Sequence, residues 1–270
     1  MRLKGHFFVL LFLLLSNVYN VFPASNVMSI DSLQNILTKA VESREISKAC
    51  SVSNQISVQF WINGKIDSSL IFSLQTIEFA SEIKDTSFQI LGLTRCAYNY
   101  HQKGNFDFAI QYFNNAILLA EKSKDTLQWA NSLENMSTVY GATGMTNYTK
   151  ALELLLKAAK LKEDAKAYSL LPGTYKNISS IFKEVKDTVN REKYLLKAIE
   201  LVDQGKVVNP TFQAAVYNEA GRFYTDEKTD FSKAENYYNK VLEISRKINW
   251  KKGISASLSN IASVKEKQGD

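Results

Sequence analysis

Residues 96–116 read CAYNYHQKGNFDFAIQYFNNA, from Cys96 to Ala116. Small and bulky residues recur on either side of Gly104 at three- and four-residue steps: Ala97 and Tyr100 before it, Ala109, Phe113 and Ala116 after it. That spacing is one face of an α-helix. The stretch predicts two amphipathic helices separated by a glycine, which enters the left-handed C-cap conformation at little steric cost. Small residues mark where two helices approach closely, and bulky ones fill the gaps beside them.

The same pattern recurs along the chain. An aromatic column runs through Phe60, Tyr100, Tyr140, Phe182 and Tyr224, at spacings of 40, 40, 42 and 42 residues. Gly64, Gly104 and Gly144 follow the first three members by four residues. Three residues before each aromatic stands a small residue: Ser57, Ala97, Ser137, Ser179 and Gly221, with Ala262 in a final half copy. Two more columns belong to the second helix of each unit. One holds Ser69, Ala109, Ala151 and Ala234, with Arg191 as the exception; the other holds Thr76, Ala116, Ala158, Ala198 and Val241. Pro172 and Pro210, and the tripeptides Lys84-Asp85-Thr86 and Lys124-Asp125-Thr126, fall where one unit must stop and the next begin.

These columns resemble the tetratricopeptide repeat, and the resemblance covers residues 50–270. It implies an all-α fold, a right-handed α-solenoid of antiparallel helix pairs, in five and a half repeats. The full units read as 50–86, 88–124, 128–165, 172–205 and 211–248. Residues 26–49 read as an N-terminal capping region whose helix spans 31–48, with Asp31 or Ser32 as N-cap. The chain departs from the family in its period, 40–43 residues against about 34, and in placing Leu93, Leu133, Tyr175 and Tyr217 where the family favours Trp. The fourth unit has Lys186 at the glycine position, and the fifth lacks the glycine too. Residues 251–267 read as the first helix of a sixth unit, followed by the turn Gln268-Gly269-Asp270. A solenoid normally closes with a polar capping helix, so the expectation is the N-terminal part of a longer protein. The competing reading makes the last helix itself the cap, which Lys265 at the aromatic position supports.

Composition narrows the function classes. The 270 residues are 45% hydrophobic and 22% charged, enough apolar mass for a folded chain. Only two cysteines and two histidines are present, so neither a disulfide scaffold nor a multi-histidine metal site is available. A bond between Cys50 and Cys96 is open in an oxidising compartment, although a whole unit separates them. Residues 1–25 have the layout of a secretory signal peptide: Arg2 and Lys4, then the apolar run Phe7–Leu15, then Pro23-Ala24-Ser25. An uncleaved anchor is the other reading. Export to a periplasmic or extracellular site is expected, with the membrane involved only through such an anchor or a missing C-terminal segment. Removing residues 1–24 takes away Arg2 and Lys4 and leaves a net charge of +4, too little to suggest nucleic acid as a partner.

The expected function is protein or peptide binding without chemistry, on the concave face that first helices build in helical-repeat solenoids. The alternative is the sensory or docking region of a longer membrane signalling protein, a histidine kinase or transcriptional regulator. The family's groove positions fall on Trp61 in the first unit and on Thr94, Tyr98 and His101 in the second. They fall on Glu134 and Thr138 in the third, Lys176, Ser180 and Lys183 in the fourth, and Asn218, Arg222 and Thr225 in the fifth. The pattern is aromatic at one end and basic at the other, which suits a ligand with an acidic segment beside an apolar one. No phosphate-binding loop, His-Glu-x-x-His or Gly-x-Ser-x-Gly is present, so no catalytic residue and no cofactor are expected.

Overall fold

The computed structural model describes residues 28–142 and 146–269; the signal-like segment 1–25 and Gly144 lie outside them. The described residues form twelve α-helices and no strand. A single helix, α1 (Ile30–Glu42), precedes five helix pairs. These are α2 (Ile46–Ile62) with α3 (Ile66–Glu82), α4 (Thr86–Gln102) with α5 (Phe106–Lys122), and α6 (Thr126–Tyr140) with α7 (Tyr148–Asp164). Then come α8 (Leu171–Glu184) with α9 (Thr188–Asp203), and α10 (Pro210–Asp226) with α11 (Phe231–Lys247), followed by α12 (Lys251–Gln268) alone. Every substantial contact joins consecutive helices, or the first helices of neighbouring pairs: α2 with α4, and α4 with α6. This is the all-α solenoid that the repeat predicts.

The columns fill the roles that their residue types suggest. Ser69, Ala109, Ala151 and Ala234 are fully buried, as are Ser57 and Ala97. Each column aromatic but one stacks on a ring of its own pair's second helix: Phe60 on Phe72 at 5.6 Å, Tyr100 on Tyr112 at 5.4 Å, Phe182 on Tyr194 and Tyr224 on Tyr237 at 5.7 Å. Tyr140 packs against the cluster of Phe113, Leu133 and Val139. Gly221 has its place because Tyr238 lies against it: a Cβ there would come within 2.5 Å of the ring.

Turns need a residue in the left-handed region, and this chain often uses lysine where glycine is missing. Gly64 (φ 72°) and Gly104 (φ 76°) turn the first two pairs, but Lys186 (φ 60°) turns the fourth. Lys84, Lys124 and Lys166 do the same between pairs. At Lys84-Asp85-Thr86 the lysine turns the chain, Asp85 caps α4 by accepting the Phe88 N–H at 3.0 Å, and Thr86 begins the helix. Asp125 and Asp187 repeat this arrangement on α6 and α9. Pro210 opens α10, where a missing N–H costs nothing.

Two details at the front differ from the expectation. The N-cap of α1 is Ser29, whose hydroxyl accepts the Ser32 N–H, and not Asp31 or Ser32. Helix α1 ends at Glu42 and α2 begins at Ile46, so the boundary lies several residues before 49/50. Arg44 (φ 57°) makes that turn, and an arginine carries no sequence signal for it. Cys50 and Cys96 are both free and buried. Burial pushes their thiols up, to about 11 and about 12, so both are inert as nucleophiles near neutral pH.

Candidate functional site

In a curved stack, the helices that touch across units lie on the inner side. The contacts of α2 with α4 and of α4 with α6 therefore place those three first helices there. All the groove residues named from the sequence sit on first helices. The structure gathers them into separate groups with different fates.

The front group is aromatic. Trp61, near the end of α2, lies 6.3 Å from Tyr98 on α4, and Tyr98 meets Phe113 edge-on at 5.4 Å. The guanidinium of Arg95 stacks over the Trp61 ring at 5.3 Å. Burial pushes the Tyr98 phenol up, so it stays neutral. Thr94 is half-buried beside it. His101 is buried with its ring 5.7 Å from Phe106, and that burial lowers its pKa below the ordinary 6.5. It is held neutral at pH 7.

Glu134 is taken up internally. One carboxylate oxygen accepts from Lys162 of α7 at 2.5 Å and from the Thr174 hydroxyl of α8 at 3.2 Å. The other accepts from Asn177 of α8 at 2.7 Å. Lys162 and Glu134 are both buried, so this network ties the third pair to the fourth. Thr138 hydrogen-bonds the Asn135 carbonyl of its own helix, Ser180 the Lys176 carbonyl, and Thr225 the Gly221 carbonyl.

The rear group is basic but surrounded by acids. Lys176 is buried, its pKa lowered by desolvation and held up by Glu219 and Glu134. Arg222 lies 3.9 Å from Glu219. Lys183 is half-buried near the end of α8. Asn218 accepts from Asn260 of α12 at 3.0 Å, joining the last pair to the final helix.

Sequence reasoning missed three charged residues. Arg95 stands next to Thr94, outside the family's groove positions. Lys162 carried no signal. Arg191 did: as the one charge in a column of small residues, it pointed to something unusual. It is 2% exposed, pairs with Glu219 at 2.8 Å and with Glu227, and stacks on Phe223 at 5.1 Å. Among the described residues no group of three metal-ligating side chains converges.

Helix pairs stacked in chain order define a helical-repeat solenoid. Two stretches, residues 93–123 and 214–248, match the tetratricopeptide repeat family. The two stretches coincide with the second and fifth helix pairs, so those pairs are tetratricopeptide repeats. Among solved structures it is similar to BtubC (BKLC) from P. vanneervenii, at 14% identity and a TM-score of 0.69, covering 82% of this chain and 91% of that one. It is also similar to a signal transduction ATPase with a tetratricopeptide repeat sensor from Pyrococcus horikoshii. There the identity is 15% and the TM-score 0.67, over 89% of this chain and 38% of that one. A Rap protein complexed with competence and sporulation factor aligns over 98% of this chain and 88% of its own, at 9% identity and a TM-score of 0.55. At these identities the likeness is one of fold. No curated protein matches the chain by sequence.

Proposed function

We propose that this protein is an exported scaffold that binds a protein or peptide segment along its inner face, without chemistry of its own. The observation that carries the reading is the front of that face. There Trp61, Tyr98 and Arg95 form an aromatic and cationic cluster in which Trp61 and Arg95 are buried, and the Arg95 Nε has no hydrogen-bond partner among the described residues. A fold that needed these residues only for its own packing would meet the guanidinium with a carboxylate, as it does at Arg191. Export rests on the signal-like layout of residues 1–25. No described helix is long and apolar enough to cross a membrane.

The test is capture in the native source. A tagged full-length chain is cross-linked in place, purified and analysed by mass spectrometry, beside a Tyr98→Ala variant. One or a few partners should be enriched and should fall away in the variant. Partners that persist unchanged in Tyr98→Ala would move the binding surface off this face. Fractionation with N-terminal sequencing tests export: a mature N-terminus close to Ser25 is expected, and a full-length chain in the cytoplasmic fraction contradicts it.

A further inference from the structure

We propose that the turn between the last helix pair and α12 is a peripheral contact for an anionic phospholipid surface, with Arg246, Lys247, Lys251 and Lys252 meeting the headgroups and Trp250 entering the interface. Paired helices run antiparallel, so the turns between pairs all come to one edge of the stack, and this turn is the last of them. The contact needs neither an anchor nor a spanning helix, and it stands independently of the partner binding proposed above.

Charge sets this turn apart. At earlier turns between pairs the basic residue is flanked by acids: Arg44 stands between Glu42 and Glu45, and Lys84 between Glu82 and Asp85. Residues 244–265 contain no aspartate or glutamate. Arg246, Lys247, Lys251 and Lys252 are all exposed, and none of them forms an ion pair with Glu243, the nearest acid in the sequence, or with any other described residue. Other lysines at the rear are engaged: Lys228 by Glu192, Lys240 by Asp203 and Lys265 by Glu235. Four cations gathered at one turn without a counter-charge make a positive patch, and the start of α12 adds the positive end of its dipole.

The tryptophan breaks a local rule at the same place. Helices α4, α6 and α10 are N-capped by Asp85, Asp125 and Asn209. Trp250 holds that position on α12 and supplies no side-chain cap, which forgoes about 1 kcal/mol. Its side chain is 38% exposed, and the ring lies against Gly253, where a Cβ would collide with it. The missing Cβ lets the indole anchor one side on the helix and leave the other to water. Ile254 and Leu258 follow at four-residue steps along α12, and Leu258 is 46% exposed. An indole is suited to the headgroup level, where one end of the ring is apolar and the other wet. Each Lys or Arg near an anionic bilayer contributes about 1 kcal/mol. A soluble polyanion would satisfy the cations and leave Trp250 and Leu258 in water; a bilayer takes up both.

The test is flotation of the full-length chain with vesicles of phosphatidylcholine alone and of phosphatidylcholine mixed with phosphatidylglycerol. Binding to the anionic vesicles is expected to be tighter by about tenfold or more and to weaken with salt. The variant Arg246→Gln/Lys247→Gln/Lys251→Gln/Lys252→Gln should erase that preference. The variant Arg2→Gln/Lys4→Gln, which removes the basic residues of the signal-like segment, should keep it. Brominated lipid in the anionic vesicles should quench tryptophan fluorescence in wild type and much less in Trp250→Phe, which retains Trp61 and Trp129 with their buried indole nitrogens. Circular dichroism confirms that each variant is folded. Equal binding to both kinds of vesicle, a preference that survives the fourfold Gln variant or is lost in Arg2→Gln/Lys4→Gln, or unchanged quenching in Trp250→Phe overturns the proposal. So does soluble polyglutamate that binds as tightly as the anionic vesicles, which would make an acidic protein the partner of this turn. None of these outcomes bears on capture by the inner face.

Discussion

The front of the stack and its rear are built on one repeat and held together by different means. Between α3 and α4 the link is three residues, 83–85, and the helices touch closely: a Cβ on Gly92 would lie 2.6 Å from Ile77 Cγ1 and 3.1 Å from the Ser73 carbonyl. The buried hydrogen bonds there join neutral groups. Ser57 bonds to Ser73 at 2.7 Å, and Asn99 of α4 reaches the Ser73 hydroxyl at 3.3 Å. Between α7 and α8, and again between α9 and α10, the links lengthen to residues 165–170 and 204–209, and helix contact thins. Arg191–Glu219 is a buried ion pair across the second of these junctions; at the first, the buried Glu134–Lys162 pair of α6 and α7 hydrogen-bonds across to Thr174 and Asn177 of α8. Small residues hold helices together by proximity. Where the helices stand further apart, longer charged side chains bridge the gap and hydrogen-bond across it.

Tyrosines continue the pattern at the rear. Tyr175 donates to Glu163 at 2.6 Å with Lys197 over its ring at 5.2 Å, and Tyr217 donates to Asp203 with Lys240 over its ring at 4.6 Å. This explains why the column that holds Leu93 and Leu133 at the front turns to tyrosine at these two junctions. A phenol reaches an acid on the preceding helix; a leucine cannot.

The sharpest way to break the comparison is at Lys162. Lys162→Met leaves the Glu134 carboxylate buried without its charge partner and should cost about 3–5 kcal/mol in urea unfolding. The double variant Lys162→Met/Glu134→Leu should recover most of that loss, because a well-packed apolar pair replaces a buried ion pair at little net cost. A double variant as unstable as the single one would show that the network does more than balance charge.

The two buried arginines should respond with opposite signs. Arg191→Met strands Glu219 and Glu227, which are partly solvated, so a loss of about 2–4 kcal/mol is expected. Arg95→Met removes a buried charge that no described acid balances, so the free protein should gain stability, by about 1 kcal/mol. Equal losses in the two variants, read as melting temperatures, would erase the distinction between front and rear.

Smaller effects sharpen the picture further. Gly92→Ala should cost about 1–3 kcal/mol through overpacking against Ile77 and Ser73. Lys186→Gly should stabilise by about 1 kcal/mol, since the turn already lies at φ 60° and glycine carries no left-handed penalty. His101 sets the smallest effect. Its folded pKa lies below 6.5, so on acidification the unfolded chain binds the proton first. The stability it contributes is complete above that pH and is lost as the pH falls from 6.5 through the folded value. The melting temperature of His101→Gln should therefore fall less than that of wild type between pH 7 and pH 5.

Much of this was legible in the residues themselves. The small, aromatic and glycine columns gave the helix pairs and their order, because close helix packing admits few residue types and so leaves a periodic trace. The groove residues were less legible. Position on a first helix says which side a residue faces, but not whether a partner from another unit has already engaged it. Glu134 and Arg222 carry the same kind of positional signal as Tyr98, yet each has a charged neighbour that the sequence places 28 residues away in one case and three in the other.

The linear order of residues, then, determined the repeat, the number of helix pairs and the small contacts between them, since these depend on spacing within a unit. The tertiary structure alone decided which charges are balanced. Lys162 meets Glu134, Arg191 meets Glu219, and Arg95 meets no described acid, because charge pairing acts between side chains on different helices and depends on how far apart the stack holds them.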